Sequence, residues 1–238
     1  EIAHEHGLSV DMEGFEREME AQRDRSRSAG AKFGGDADAQ RRYEPFGQTA
    51  FLGYQTTTAT SEIVGLLVDG APVDSVAEGQ QLEAVLHETP FYAEAGGQVG
   101  DAGELEGPGG LVQVEDTQSP VAGLTVHRGR VTKGTVAVGE TIVATVDRER
   151  RQDAARNHTA THLLHAALRQ VLGTHVRQAG SLVAPDRLRF DFTHVSPLTA
   201  DELRSVERLV NAKVRENVSV RKRETTFRQA TADGALAF

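Results

Sequence analysis

The sequence has no cysteine in its 238 residues. Disulfides and thiolate metal ligands are therefore excluded from this chain, a usage compatible with the cytosol. It also has no apolar run near the roughly 18 residues that a membrane-spanning helix requires. The first residues, Glu1-Ile2-Ala3-His4-Glu5-His6, lack the layout of a signal peptide. The expected compartment is the cytoplasm. The start has no initiator Met, and Gly234-Ala235-Leu236-Ala237-Phe238 has no closing polar tail, so both ends read as cut. Net charge is −9, but positive charge is scarce only before Arg151. From there on, 14 Lys/Arg stand against 9 Asp/Glu, about +5, and the remainder carries about −14. A basic half joined to an acidic one suggests an anionic partner, nucleic acid first, although ordinary solvated charge would look the same.

What is present centres on Asn157-His158-Thr159-Ala160-Thr161-His162-Leu163-Leu164-His165. The stretch reads as the head of a helix running through Leu172. His158 and His162 are four apart and project from one helix face, with His165 in the same arc. Leu163, Leu164, Ala167, Leu168, Val171 and Leu172 cluster on the other side. Two imidazoles at i and i+4 can share a divalent metal, most often zinc. The alternative is three surface histidines on a polar face. A metalloprotease needs Glu directly after the first His as general base. Thr159 occupies that position, which argues against a protease. Asn157-His158-Thr159 also matches a glycosylation sequon, read as chance without a signal peptide.

Taken in order, the chain reads as α+β. Met12, Phe15 and Met19 give a narrow helical stripe from Asp11 toward Ser28, followed by a glycine-bearing linker, so residues 1–48 form a helical lead-in. Over 49–150 the period changes to that of strands. Ile63–Val68, Leu82–Leu86, Leu111–Val114 and Thr141–Val146 are separated by Asp69-Gly70, Glu78-Gly79, Gly109-Gly110, Lys133-Gly134 and Val138-Gly139. Short strands with these turns predict a small β-barrel. Inside it, Gly96-Gly97 is either a hairpin turn or a place where backbone approaches a ligand. Residues 151–238 mix the His helix, a stop at Gly173, and a half-buried strand alternating at Leu188, Phe190 and Phe192. A capping box opens a second helix at Thr199, and Val218-Ser219-Val220 reads as a further strand before the basic run Arg221-Lys222-Arg223. No βαβ unit repeats.

Arg156 to His165, continued by Gly173-Thr174-His175-Val176-Arg177-Gln178-Ala179-Gly180-Ser181-Leu182, closely resembles the editing domain of the alanyl-tRNA synthetase family. Arg189-Phe190-Asp191-Phe192 and the run from Phe91 to Asp101 resemble it too. Free-standing alanyl-tRNA editing proteins share these motifs, but the acidic helix before the barrel favours the synthetase. The resemblance implies a glycine-rich barrel followed by an α/β editing core similar to that of threonyl-tRNA synthetase, here truncated at its C-terminal end. It implies hydrolysis of Ser-tRNA(Ala) and Gly-tRNA(Ala), and zinc held by a His-x-x-x-His pair plus a later Cys-x-x-x-His pair. His158 and His162 match the first pair, and the second is expected beyond the chain end. His165, His175, His194 and Asp191 are the other metal-ligating side chains available as substitutes. Thr161, Gln178 and Ser181 match positions implicated in substrate handling, where capping or plain exposure is the ordinary alternative. Gly96, Gly97, Gln98, Arg221, Lys222 and Arg223 are candidate RNA contacts. The implied partner is alanine tRNA, with no membrane and no DNA, and the oligomeric state is left open. ATP and Mg2+ belong to the aminoacylation domain of the parent ligase, of which no segment is recognisable here. Rival readings are a non-catalytic tRNA-binding module and an unrelated zinc hydrolase.

Overall fold

Between Thr58 and Val146 the side chains alternate between two faces, and a computed structural model shows how the strands close. The structure describes residues 37–220 and 225–234, together with Gly14, Arg17 and Met19. Apart from those three, which are helical, the helix expected from Asp11 toward Ser28 lies outside the described residues. The linker after it and the run Arg221-Lys222-Arg223 lie outside them too. Helix α1 (Ala37–Tyr43) and a 3-10 turn (Glu44–Phe46) lead into β1 (Ala50–Phe51), β2 (Thr58–Val68), β3 (Ala71–Val73), β4 (Ser75–Ala77) and β5 (Gln81–Leu86). These are followed by β6 (Glu88–Thr89), β7 (Gly103–Glu106), β8 (Gly110–Gln118), β9 (Val126–Ala137) and β10 (Thr141–Val146). The remainder is α2 (Arg148–Leu172), β11 (Gln178–Val183), β12 (Leu188–Phe192), α3 (Ala200–Glu216) and α4 (Phe227–Ala232).

Strands β2, β10, β7, β8, β9 and β5 form a closed antiparallel barrel, with β5 returning to β2. Closure depends on the length of β2. Its first half, Thr58 to Glu62, pairs with β10, and from Ile63 onward it pairs with β5, with a register shift between Ile63 and Gly65. A closed barrel leaves no open edge, and a small one is filled by side chains. Alternation in β10 therefore puts Ile142, Ala144 and Val146 inside and Thr141, Val143 and Thr145 outside. The continuous apolar runs Leu66-Leu67 and Ala84-Val85-Leu86 have a different cause. Leu66, Ala84 and Leu86 fill the barrel, while Leu67 and Val85 face outward beneath Tyr43, Leu124 and Val126. The Tyr43 hydroxyl donates to Glu83 Oε2 at 2.6 Å, which ties α1 to this outer layer.

The four expected strands fall within β2, β5, β8 and β10. Lys133-Gly134 is not a turn. It lies inside β9, where the ladder with β8 ends at Gly134 and pairing with β4 begins at Thr135. The register with β8 shifts beside Thr132, just before this pair, and Gly134 has a positive φ (69°) where the strand passes from one neighbour to the next.

The second unit is α/β. Asp147 caps α2 by accepting from the Arg150 amide at 3.0 Å, and Gly173 ends it. Strands β11 and β12 form an antiparallel hairpin. Ala167, Leu168, Val176 and Val206 are the centre of its core, with Phe190, Phe192, Leu209 and Val210 around them. The capping box at Thr199 opens α3 as expected. Val218-Ser219-Val220 is not a strand: it follows the left-handed cap Asn217, is exposed, and has no partner strand among the described residues. The whole is α+β. Among the described residues no helix is long and apolar enough to cross a membrane.

Backbone and side-chain contacts join the units. The Asp147 amide donates to Ala102 O at 2.8 Å. Arg151 Nε donates to both carboxylate oxygens of Asp101 at 2.9 and 2.8 Å, and its other nitrogens reach Gly53 O and Pro90 O. Strand β11 lies against the glycine-rich loop, with Val183 N–H donating to Gly97 O at 2.7 Å and Val99 N–H to Val183 O at 3.0 Å.

Candidate functional site

Helix α2 starts ten residues before His158, so the histidines lie in its middle and not at its head. The Asp147 cap moves the start back, a signal overshadowed in the sequence by the imidazoles. The buried stripe of α2 is Ala154, Thr161, His165, Ala167 and Leu168. His158 sits at the margin of this stripe, half-buried, and His162 is exposed. Their rings stack with centroids 5.2 Å apart and planes 15° from parallel. Burial, and then the neighbouring His162, lower the pKa of His158, which favours the neutral form a metal ligand needs. His165 does not share their surroundings. It is buried with its ring 5.1 Å from that of Phe190, because β12 packs over that turn of the helix.

The glycine-rich loop reaches His158 from the barrel. Ala95 and Gln98 exchange both backbone hydrogen bonds, with Gly96 and Gly97 between them at φ of 59° and 82°. This is a hairpin turn of the type that demands positive φ at both central positions. It is also a close approach: a Cβ on Gly97 would fall against Ser181 Oγ and 2.7 Å from Ser181 O. The hairpin reading of Gly96-Gly97 therefore holds, and the surface that the backbone approaches closely is the chain's own β11. The turn delivers Gln98, whose Oε1 lies 2.7 Å from His158 Nδ1. Gln98 is 7% exposed. As candidate RNA contacts, Gly97 and Gln98 are thus turned inward, and only Gly96 has open space around it.

Gln178 and Ser181 both lie on β11. Three apart on a regular strand, they would face opposite ways. A register shift between Gln178 and Gly180 puts them together, and Gln178 Nε2 donates to Ser181 Oγ at 3.3 Å. Through Gly97, Ser181 adjoins the loop that touches His158. Thr161 is 5% exposed, and its hydroxyl donates to Asn157 O at 2.8 Å. Asn157, the sequon residue, donates from its amide to Ala184 O and Pro185 O at 2.7 and 3.1 Å. The loop thus touches His158 through Gln98 and Ser181 through Gly97, with His162 stacked on the first and Gln178 bonded to the second, and Thr161 lies one turn along α2 and faces the helix backbone.

The substitute metal ligands are engaged elsewhere. His175 and His194 contact each other, with ring nitrogens 2.9 Å apart, and Asp191 pairs with Arg189. Among the described residues no three His, Asp or Glu come together to hold a metal. The donor set fits half of a zinc site, the two stacked imidazoles. Sequence reasoning missed the contact of Gln98 with His158 and the ion pair of Asp101 with Arg151. The available signal is the run Gly96-Gly97-Gln98-Val99-Gly100-Asp101, in which a positive-φ turn is flanked by polar side chains.

Comparison with known proteins agrees with this architecture. The family model described as tRNA synthetases class II (A) matches residues 1–150. The alanine--tRNA ligase of Dehalococcoides mccartyi is 49% identical over 241 aligned positions, which cover 100% of this chain and 28% of that protein. That of Xanthomonas oryzae pv. oryzae is 50% identical over 242, covering 100% and 27%. That of Chloroflexus aurantiacus is 51% identical over 237, covering 99% and 26%. The chain spans about a quarter of the length of the curated relatives it matches. It belongs to the class II (A) tRNA synthetases.

Proposed function

We propose that this chain is the barrel and first half of the editing core of an alanine--tRNA ligase. In this reading the parent protein hydrolyses Ser-tRNA(Ala) and Gly-tRNA(Ala). The observation that supports it is the convergence of the stacked His158 and His162 with Gln98, Ser181 and Gln178, built by two units of a chain about 50% identical to alanine--tRNA ligases. His158 and His162 would hold zinc, together with a Cys-x-x-x-His pair supplied by a longer chain. When bound, zinc would supply a Lewis acid that activates water, polarises the aminoacyl carbonyl, or positions the α-amine and terminal ribose. The residues of this chain orient and select. Burial at the margin of α2 keeps His158 neutral, and the Gln178–Ser181 pair offers an amide and a hydroxyl to a polar substrate. The excess positive charge beyond Arg151 suits tRNA phosphates.

A second reading, tRNA binding without hydrolysis, is favoured by the two-ligand metal set among the described residues. The test is a deacylation assay on the full ligase that contains this chain. Replacing His158 and His162 together by Ala should lower Ser-tRNA(Ala) hydrolysis by roughly two orders of magnitude while aminoacylation persists. Unchanged hydrolysis would show that the two histidines do not carry it, and an unsubstituted ligase that leaves Ser-tRNA(Ala) intact would leave only the binding reading. Zn2+ should bind weakly to the 238-residue chain and tightly to the longer one, since zinc sites normally take three or four protein ligands.

A further inference from the structure

The geometry points to Gln98 as the residue that sets the tautomer of His158, making the glycine-rich loop of the barrel a positioning element of the metal-ligating helix. This rests on the zinc reading above for its purpose, though not for its measurement. Gln98 Oε1 lies 2.7 Å from His158 Nδ1. An amide oxygen only accepts, so the ring nitrogen facing it must carry the proton. A neutral imidazole has one proton. With Nδ1 protonated, the lone pair is on Nε2, and that nitrogen is left to bind a metal. Ligating histidines characteristically donate their other N–H to an oxygen acceptor, which fixes both tautomer and ring orientation.

The acceptor is held firmly. Gln98 is 7% exposed, its backbone is bonded in both directions to Ala95, and it bridges in parallel to Val183 of β11. The turn needs Gly96 and Gly97 at positive φ, and Gly97 rests on Ser181. Its amide is therefore placed by three elements: the hairpin, β11 and α2. His162 stacks on the ring so oriented, 15° from parallel, so a rotation of His158 disturbs both imidazoles. A solvent-facing glutamine would have none of these restraints. The arrangement also gives the barrel a direct mechanical connection to the helix, separate from the Asp101–Arg151 junction.

The test is performed on the metal-free 238-residue chain labelled with 15N, by long-range proton–nitrogen correlation spectra at a pH where His158 is neutral. His158 should show a protonated Nδ1 and an unprotonated Nε2. Gln98→Leu, of similar size without an acceptor, should move the proton to Nε2. Gln98→Glu, which keeps an acceptor at the same reach, should retain it on Nδ1. His127 is an internal control for folding, because its Nδ1 faces Ala84 O at 3.0 Å inside the barrel and its signature should not change. If Gln98→Leu does not fold, wild type and Gln98→Glu decide the matter between them. A wild-type His158 protonated on Nε2, as a reversed amide would require, overturns the assignment. So does an Nδ1 proton that survives in folded Gln98→Leu. Titration with Zn2+ provides the second readout, with an expected loss of roughly 10-fold in affinity for Gln98→Leu. The expected tautomers in a longer ligase chain that binds no Zn2+ would uphold the role of Gln98 and overturn the zinc reading instead.

Discussion

At the scale of single residues, the barrel carries a titratable group that never meets water. His127 is 1% exposed, with Phe91 edge-on at 5.1 Å. Its Nδ1–H donates to Ala84 O, and its Nε2 accepts from the Thr89 hydroxyl, which in turn accepts from the Phe91 amide. Burial lowers its pKa from 6.5 to about 4. Above pH 6.5 the histidine is neutral folded and unfolded, and the stability is fully present. As pH falls toward 4 the unfolded chain takes up a proton that the folded barrel refuses, and about 3 kcal/mol is lost. Urea unfolding across this range should show the loss, and His127→Gln should flatten it. Thr161 is a second case. Its hydroxyl proton is committed to Asn157 O, so in the proposed editing reading it can only accept from a substrate serine. Alanine in the pocket would then leave no unpaired donor, and discrimination reduces to one net hydrogen bond of about 0.5–1.5 kcal/mol. If the full ligase edits as proposed, Thr161→Val should narrow the serine-to-alanine deacylation ratio by roughly 2- to 10-fold. Equal loss of both rates would show that Thr161 supports geometry only.

At the scale of elements, the glycine hairpin and the cap of α3 are separable. Gly96 and Gly97 both have positive φ, but only Gly97 is pressed against Ser181. Gly96→Ala should cost about 1 kcal/mol, the price of a left-handed residue in open space. Gly97→Ala adds a clash with a strand backbone and should cost more than about 2 kcal/mol, while also displacing Gln98 from His158. Thermal unfolding of the two variants side by side tests the difference. Helix α3 opens with a reciprocal box, in which Thr199 Oγ1 accepts from Glu202 N–H and the Glu202 carboxylate accepts from Thr199 N–H. This was legible in the sequence, because a capping box involves residues three apart and needs nothing from the rest of the fold. The register shift that brings Gln178 and Ser181 together was not legible, since it depends on where β12 pairs.

At the scale of the whole molecule, a buried ion pair helps to hold the barrel to α2. The side chains of Asp101 and Arg151 are 4% and 16% exposed. Breaking a pair this buried strands the partner charge, and Asp101→Asn should cost about 3–5 kcal/mol. Asp101→Leu combined with Arg151→Met should cost less than either change alone, since no charge is then left uncompensated. A double-mutant cycle by urea unfolding measures this, and strictly additive costs would show that the two charges do not act as a unit.

The sequence by itself determined what short-range chemistry can write. Alternation specified the strands at Ile63–Val68 and Thr141–Val146, glycines specified the turns at Gly70, Gly79 and Gly139, and spacing put His158 and His162 on one helix face. Motif resemblance then placed the chain in its family. Tertiary structure alone decided which side of each element was covered. It closed the barrel by dividing β2 between two neighbours, buried His165 beneath β12, and placed Lys133-Gly134, an apparent turn, inside β9. It brought Gln98 to His158, 60 positions apart in the chain. Such pairings depend on which surfaces meet when the two units dock, and no local pattern of residues encodes that.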